Sequence, residues 1–274
     1  MPMTLCPLYS GSGGNAIYIA TDRTRLLIDA GLSGKVLINA LTGIGVSPDS
    51  IDAILVTHEH SDHVKGAGVL SRKFNIPIYA TEGTWRGMEA AVGPVRSCNM
   101  RSFDRHIDFF VQDINVIPFG IPHDAADPVG FRLCSGGFSV ATATDLGHFT
   151  KELLTRLSGT DVVLLESNHD PDMLKANPKY PQTLKNRILG SHGHLSNEAC
   201  ANAAVALCRT GVRHLILGHL SGENNLPRLA YETTQQALIA AGISPGSDIG
   251  LDVASRTEVG SMYTICEQAA ISNF

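Results

Sequence analysis

Directly after the apolar run Ile54-Leu55-Val56, the chain packs three histidines and a carboxylate into one short stretch: His58, His60, Asp62 and His63. Imidazole and carboxylate together are ligands for borderline divalent metals, and four of them this close crowd a single ion. The segment Thr57-His58-Glu59-His60-Ser61-Asp62-His63 therefore implies two metal ions, and a fold that delivers a polar loop at the end of a buried strand. With 11 histidines in 274 residues, this density is a poor fit to a chance polar loop. Two ions need more ligands than one loop supplies. Candidates stand at comparable places: His123 in Ile121-Pro122-His123-Asp124, Asp145 after the apolar stretch 140–144, and His219 after Leu215-Ile216-Leu217. Singly, a loop histidine is more often a surface or hydrogen-bonded core group, and Asp145 before Leu146-Gly147 fits a turn. Their common position at strand ends singles them out.

The same punctuation recurs along the chain. Leu26-Leu27-Ile28 precedes Asp29, and Val162-Val163-Leu164-Leu165 precedes Glu166, each reading as a buried strand with a polar residue at its C-terminal end. Helical stretches are expected over 35–41, 64–74, 151–157 and 197–209, the last with Ser196 as a cap candidate. Between 109 and 143 the pattern changes to strands alone, over 110–119, 129–134 and 138–142. This mixture implies an α/β chain with sheets inside and helices outside, organised as a single domain over 1–274. A net charge of −5 without blocks of like charge gives no support to a broad basic nucleic-acid-binding surface. An anionic substrate would need a local positive site. Six cysteines without a C-x-x-C pair read as reduced core residues. The start lacks the features of a signal peptide and no apolar run approaches 18 residues, so a soluble, cytoplasmic protein with no membrane partner is expected.

The order Asp29, His58-x-His60-x-Asp62-His63, His123, Asp145, His219 resembles the metallo-β-lactamase superfamily over about residues 10–225. That resemblance implies a four-layer αββα sandwich. It also implies that His58, His60 and His123 hold one metal, that Asp62, His63 and His219 hold the other, and that Asp145 bridges both together with a water or hydroxide. Asp29 resembles the aspartate that braces the metal loop from behind in this family and is not counted as a ligand. Relatives with a redox di-iron centre place an acid where His60 stands, so the chain resembles the hydrolytic branch. The spans between motifs are too short for the flexible arm of ribonuclease Z or the inserted domain of ribonuclease J. Yet Gly193-His194-Leu195-Ser196 and Gly218-His219-Leu220-Ser221 are similar to the paired histidine loops of those nucleases, which implies contact of His194 with the scissile phosphate. The motifs 10–15, 144–147, 166–170, 191–197 and 218–225 are most similar to the YycJ (WalJ) group, associated with 5′-to-3′ exonuclease activity on DNA and by implication with repair. Gly13 and His148 depart from that group's pattern, and neither is an expected ligand.

Read from the residues alone, Glu166 is either the carboxylate partner of an imidazole or a capping or salt-bridged group. His194, on a glycine-rich loop, is the imidazole it would serve, as a general acid. His169 and His192 either line the pocket, bind a further ion or hydrogen-bond loop backbone, and Asn15 lies on a glycine-rich turn able to offer backbone N–H groups to a phosphate. Lys175, Lys179, Lys185 and Arg187 just before the His194 loop are either a solvated helix face or a phosphate-backbone contact. The expectation is a metal-dependent phosphodiesterase acting on nucleic acid, DNA rather than RNA, with zinc, manganese or iron as its two divalent ions. A thioester or lactone hydrolase on the same scaffold, or a non-catalytic metal-binding regulator, are the competing readings. The gap from Asp145 to His219 argues against the first, and the intact ligand set against the second. Oligomeric state is not legible.

Overall fold

The computed structural model describes residues 2–266 and the backbone of 269–273. Contacts divide the chain into two compact units, one of 1–120, 125–138 and 255–274, the other of 121–124 and 139–254. In chain order the elements of the first are β1 (Met3–Tyr9), β2 (Ala16–Ala20), β3 (Arg25–Ile28), α1 (Gly34–Gly43), β4 (Ala53–Leu55), α2 (Ser61–Val64), α3 (Ala67–Phe74), β5 (Ile78–Ala80), α4 (Glu82–Val92), β6 (Met100–Ser102), β7 (Phe109–Val111), β8 (Ile114–Gly120) and β9 (Val129–Ser135). The second follows with β10 (Phe138–Ala143), α5 (Lys151–Leu157), β11 (Val162–Glu166), α6 (Pro171–Ala176), α7 (Gln182–Leu189), α8 (Asn197–Cys208), β12 (His214–Gly218), α9 (Pro227–Ala240) and β13 (Gly250–Val253). The strands β14 (Tyr263–Cys266) and β15 (Ala269–Asn273) return to the first unit. Hydrogen bonding orders the strands into two mixed sheets, β15-β14-β1-β2-β3-β4-β5-β6 and β13-β12-β11-β10-β9-β8-β7.

In the first unit β3, β4, β5 and β6 run parallel, the geometry that needs helical crossovers. Those crossovers, α1, α3 and α4, press Leu37, Leu70 and Met88 into one core with Leu27, Ile54, Val56 and Ile78. All seven are fully buried, and each contributes about 1.5–3 kcal/mol by leaving water. The helix expected over 64–74 is broken into α2 and α3 at Gly66. Its N–H bonds Ala30 O at 2.7 Å, and a Cβ there would stand 2.4 Å from Leu32 O, so the chain passes too close to the Asp29 loop for a continuous helix. The strand expected over 110–119 is likewise two, β7 and β8, because Gln112 takes a left-handed φ of 52° and turns the chain into a tight hairpin pairing Val111 with Ile114.

The second unit is built on β10, β11, β12 and β13, all parallel. The strand β11 (Val-Val-Leu-Leu-Glu) is buried throughout, which is why its sequence shows no alternation. Thr150 caps α5 by accepting from Leu153 N at 3.0 Å, and Ser196 caps α8 by accepting from Ala199 N at 3.1 Å, as the sequence expects of Ser196. Such caps contribute about 1 kcal/mol each. Among the described residues no helix is long and apolar enough to cross a membrane.

Candidate metal centre

The loop after β4 is held from behind by Asp29, the residue that follows β3. Asp29 adopts a left-handed φ of 61°, tolerated by aspartate better than by most residues. One of its carboxylate oxygens accepts from Thr57 N at 2.8 Å. The other accepts from Thr57 Oγ1 at 2.9 Å and lies 2.8 Å from His63 Nδ1. With Nδ1–H donated to Asp29, Nε2 is the atom through which His63 could bind a metal. That atom sits 3.5 Å from Asp62 Oδ2 and 3.1 Å from the amide nitrogen of buried Asn15. His58 Nε2 and His60 Nδ1 converge to 3.1 Å, and the His58 ring lies 4.0 Å from that of His63. The loop backbone is fixed too: Asn15 N bonds Asp62 O and Ala30 N bonds His63 O. Gly31 lets the Asp29 loop reach it, since a Cβ there would fall 1.6 Å from Asp62 O. Glu59 points elsewhere, its Oε1 accepting from Ala126 N at 2.8 Å.

The second unit gathers its own set. Asp145 follows β10 and His219 follows β12, with left-handed φ values of 60° and 55°. Non-glycine residues in this region cost on the order of 1–3 kcal/mol and persist where the surroundings over-determine them. Here the determinant is Glu166. Fully buried at the end of β11, it accepts from His194 Nδ1 and His219 Nδ1, both at 2.8 Å, and from Leu146 N at 2.6 Å and Leu195 N at 3.1 Å. Glu166 thus faces two imidazoles at once. Ligand-type atoms of Asp145, Glu166, His194 and His219 all lie within 4.8 Å of one another. His219 Nε2 stands 3.5 Å and His123 Nε2 3.8 Å from Asp145 Oδ1, while His123 Nδ1 is 3.2 Å from Gly193 O.

The electrostatics follow from this packing. Burial works against a charged Glu166, but attraction to His194 and the hydrogen bonds from His194 and His219 outweigh it and hold the carboxyl well below the usual carboxylate range. Burial likewise opposes a charged His194, yet Glu166 and Asp145 raise its pKa above that of an ordinary histidine. For His123 burial wins, and its pKa is lowered.

Some residues had no assigned role in the sequence. Thr57 Oγ1 lies 3.0 Å from His58 Nδ1 and 3.2 Å from His63 Nδ1, linking two imidazoles to Asp29. Asn168 Nδ2 donates to His219 O at 2.8 Å, and Asn225 Nδ2 donates to the carbonyls of Ser167 and Asn168 and to Asn197 Oδ1, so a buried amide network carries the strained His219 turn. The sequence signal for this network was the asparagines within the motifs 166–170 and 218–225. The basic residues before the His194 loop are already engaged: Lys175 with Asp172, Lys179 with Glu223, Lys185 with Lys175 O and Arg187 with Asp124. His192 is exposed and bonds Ser191, and His148 bonds Ser191 O.

His169 is different. It is 1% exposed, and neither ring nitrogen finds a hydrogen-bond partner among the described residues. Burial is the main cause that lowers its pKa to about 4. The unfolded state therefore binds a proton more readily between pH 6.5 and about 4. The neutral ring's full contribution to stability is present above pH 6.5 and is lost as pH falls toward 4. Replacing His169 by Gln should flatten the acid side of the stability–pH curve, by on the order of 2–3 kcal/mol across that window. Urea melts from pH 7.5 to 4.5 test this, and parallel curves for both proteins would contradict it.

The donor set fits divalent metal. Two of the imidazoles, those of His63 and His219, give one nitrogen to a buried carboxylate, the pattern that orients histidine toward a metal. Both clusters lie inside the part of the chain that matches a known family: residues 24–220 match the β-lactamase superfamily domain. The chain belongs to the β-lactamase superfamily. A metallo-β-lactamase-fold protein from Bacillus subtilis, YhfI, superposes with a TM-score of 0.71 at 16% identity, covering 96% of this chain and all of that one, which establishes the αββα fold. Within the superfamily, the chain is 40% identical to the exodeoxyribonuclease WalJ of Streptococcus pneumoniae over 88% of its length and 90% of the relative's. It is 38% identical to the exodeoxyribonuclease YycJ of Bacillus anthracis, over 87% and 90%. It is a metal-dependent hydrolase related to that exonuclease group.

Proposed function

We propose that the loop of the first unit and the cluster of the second serve one dinuclear centre of a phosphodiesterase, a 5′-to-3′ exonuclease acting on DNA, and that the two units act as one domain in the cytoplasm. His58, His60 and His123 would hold one ion, Asp62, His63 and His219 the other, with Asp145 shared, and zinc, manganese or iron suits this nitrogen and oxygen set. Bound there, the metals would supply Lewis acidity toward the phosphoryl oxygens and lower the pKa of a water. The observation that carries the reading is the Glu166–His194 pair beside Asp145. In this assignment His194 is needed by neither ion, yet it is held by a buried carboxylate and has a raised pKa, and phosphodiester cleavage needs a proton delivered to the leaving oxygen. Glu166 keeps the Nδ1–H of His194 in place throughout, so Nε2 is the atom that gives up the proton. The neutral imidazole left behind remains hydrogen-bonded and correctly oriented. The identity with two exodeoxyribonucleases over nearly their whole length supports the substrate class.

Elemental analysis of protein purified without chelator and then metal-supplemented should give about two transition-metal ions per chain. One ion or none would contradict the dinuclear centre. Incubated beside a thioester panel, the loaded protein should turn over DNA and leave thioesters intact, and the reverse would assign the site to acyl chemistry.

A further inference from the structure

Within the second unit, the last turn of α7 and the segment 123–124 are tied together at three points. Asp124 N donates to His192 O at 3.2 Å, His123 Nδ1 is 3.2 Å from Gly193 O, and Arg187 Nε donates to Asp124 Oδ2 at 2.5 Å. The turn is close-packed on the loop that follows it. His194 N donates to Ile188 O at 3.0 Å, and a Cβ on Gly193 would fall 2.3 Å from Arg187 O. One short, tightly folded stretch of backbone therefore carries both Arg187 and the proposed acid His194.

Stability does not account for the Arg187–Asp124 pair. Its side chains are 57% and 33% exposed, where an ion pair contributes little, and α7 buries none of its residues. Its location is what sets it apart. The other carboxylate oxygen of Asp124 lies 3.5 Å from His123 Nε2, the nitrogen left for a metal while Nδ1 faces Gly193 O. Among the described residues Asp124 is the partner of Arg187 and is met through Nε, so the Nη edge of the guanidinium stays open to a second anion. We infer that Arg187 binds a backbone phosphate of the nucleic-acid substrate, a neighbour of the phosphate that is cleaved, and so makes the site prefer a strand to a lone phosphodiester. Because the Asp124 carboxylate separates the guanidinium from His123, the anion at the metals and the anion at Arg187 are different ones. A chain of net charge −5 has no broad basic surface to hold a strand, which leaves that task to a local cation placed beside the site. The inference rests on the phosphodiesterase reading.

Binding and cleavage test this separately. In metal-supplemented Asp145→Asn protein, binding of a labelled thymidylate dodecamer is followed by fluorescence anisotropy over a range of salt concentrations. Adding Arg187→Gln should weaken binding about tenfold or more and flatten the log–log salt dependence by about 0.7, the share of one phosphate contact on a single strand. Arg187→Lys keeps the charge without the fork, so it should keep the salt dependence and only part of the affinity. Asp124→Asn breaks the ion pair but leaves the guanidinium, so it too should keep the salt dependence. A flattening equal to that of Arg187→Gln would make the pair a structural pin and overturn the inference. In cleavage by the otherwise wild-type protein, the kcat/KM advantage of the dodecamer over thymidylyl-thymidine, which has a single phosphate, should shrink about tenfold with Arg187→Gln. Unaltered binding and an unaltered advantage, in a protein that does cleave DNA, would overturn this inference alone. A wild-type protein that neither binds nor cleaves the dodecamer would overturn the phosphodiesterase reading as well.

Discussion

Asp145→Asn should reduce hydrolysis below detection while leaving the fold intact. The proposed centre gives Asp145 to both ions, and three imidazoles, those of His123, His194 and His219, approach its Oδ1 to between 3.5 and 3.8 Å. Losing a shared anionic ligand should cost more than the roughly 10–100-fold typical of changes behind the ligands. Asparagine is the cleaner replacement because Asp145 holds a φ of 60°, a region asparagine tolerates and alanine enters only at a cost of about 1–2 kcal/mol. Asp145→Ala should be equally inactive but less stable, so thermal melts separate the chemical effect from the conformational one. His106→Ala, at an exposed loop outside both clusters, should turn over normally. Near wild-type activity in Asp145→Asn would mean that the ligand assignment is wrong.

The second large effect is expected at His194. His194→Ala should lower turnover on DNA by on the order of 10²- to 10⁴-fold, the usual range for loss of a general acid, with metal content unchanged. On bis(p-nitrophenyl) phosphate, whose leaving group departs without a proton, the same variant should be far less impaired. Loss of a metal ion would make His194 a ligand, and equal damage on both substrates would make it a phosphate contact. Glu166→Gln should behave differently from His194→Ala. Because the same Oε1 serves His194 and His219, the variant loosens a proposed ligand as well as the acid, and metal affinity should fall by about 10–100-fold together with turnover.

These two residues show where sequence reasoning reaches and where it stops. The strand-end positions of His58, Asp145, Glu166 and His219 were legible because fully buried strands leave continuous apolar runs that stop at the first polar residue, and β4, β11 and β12 end within a residue of the expected places. The pairing of Glu166 with His194 was one of two open readings, since spacing cannot say which loop folds back on a strand end. That Glu166 also holds His219 was out of reach for the same reason. Asp29 was legible from its place after an apolar run and from the resemblance, but the left-handed turns at Asp29, Asp145 and His219, which at Asp29 bring the carboxylate to Thr57 and His63, were not. Interrupted elements were misread where a single residue decides. Gly66 splits a helix by close approach and Gln112 splits a strand by its φ, and neither event alters hydrophobic periodicity.

The central claim is that the centre cleaves DNA from its 5′ end, and one measurement meets it most directly. Metal-supplemented protein, with Asp145→Asn as its control, is incubated with single-stranded DNA labelled at the 5′ end in one reaction and at the 3′ end in another. The account predicts immediate release of a labelled mononucleotide from the 5′-labelled strand and progressive shortening of the 3′-labelled one, both absent with the variant. Intact strands in both reactions, or activity that Asp145→Asn retains, would contradict it.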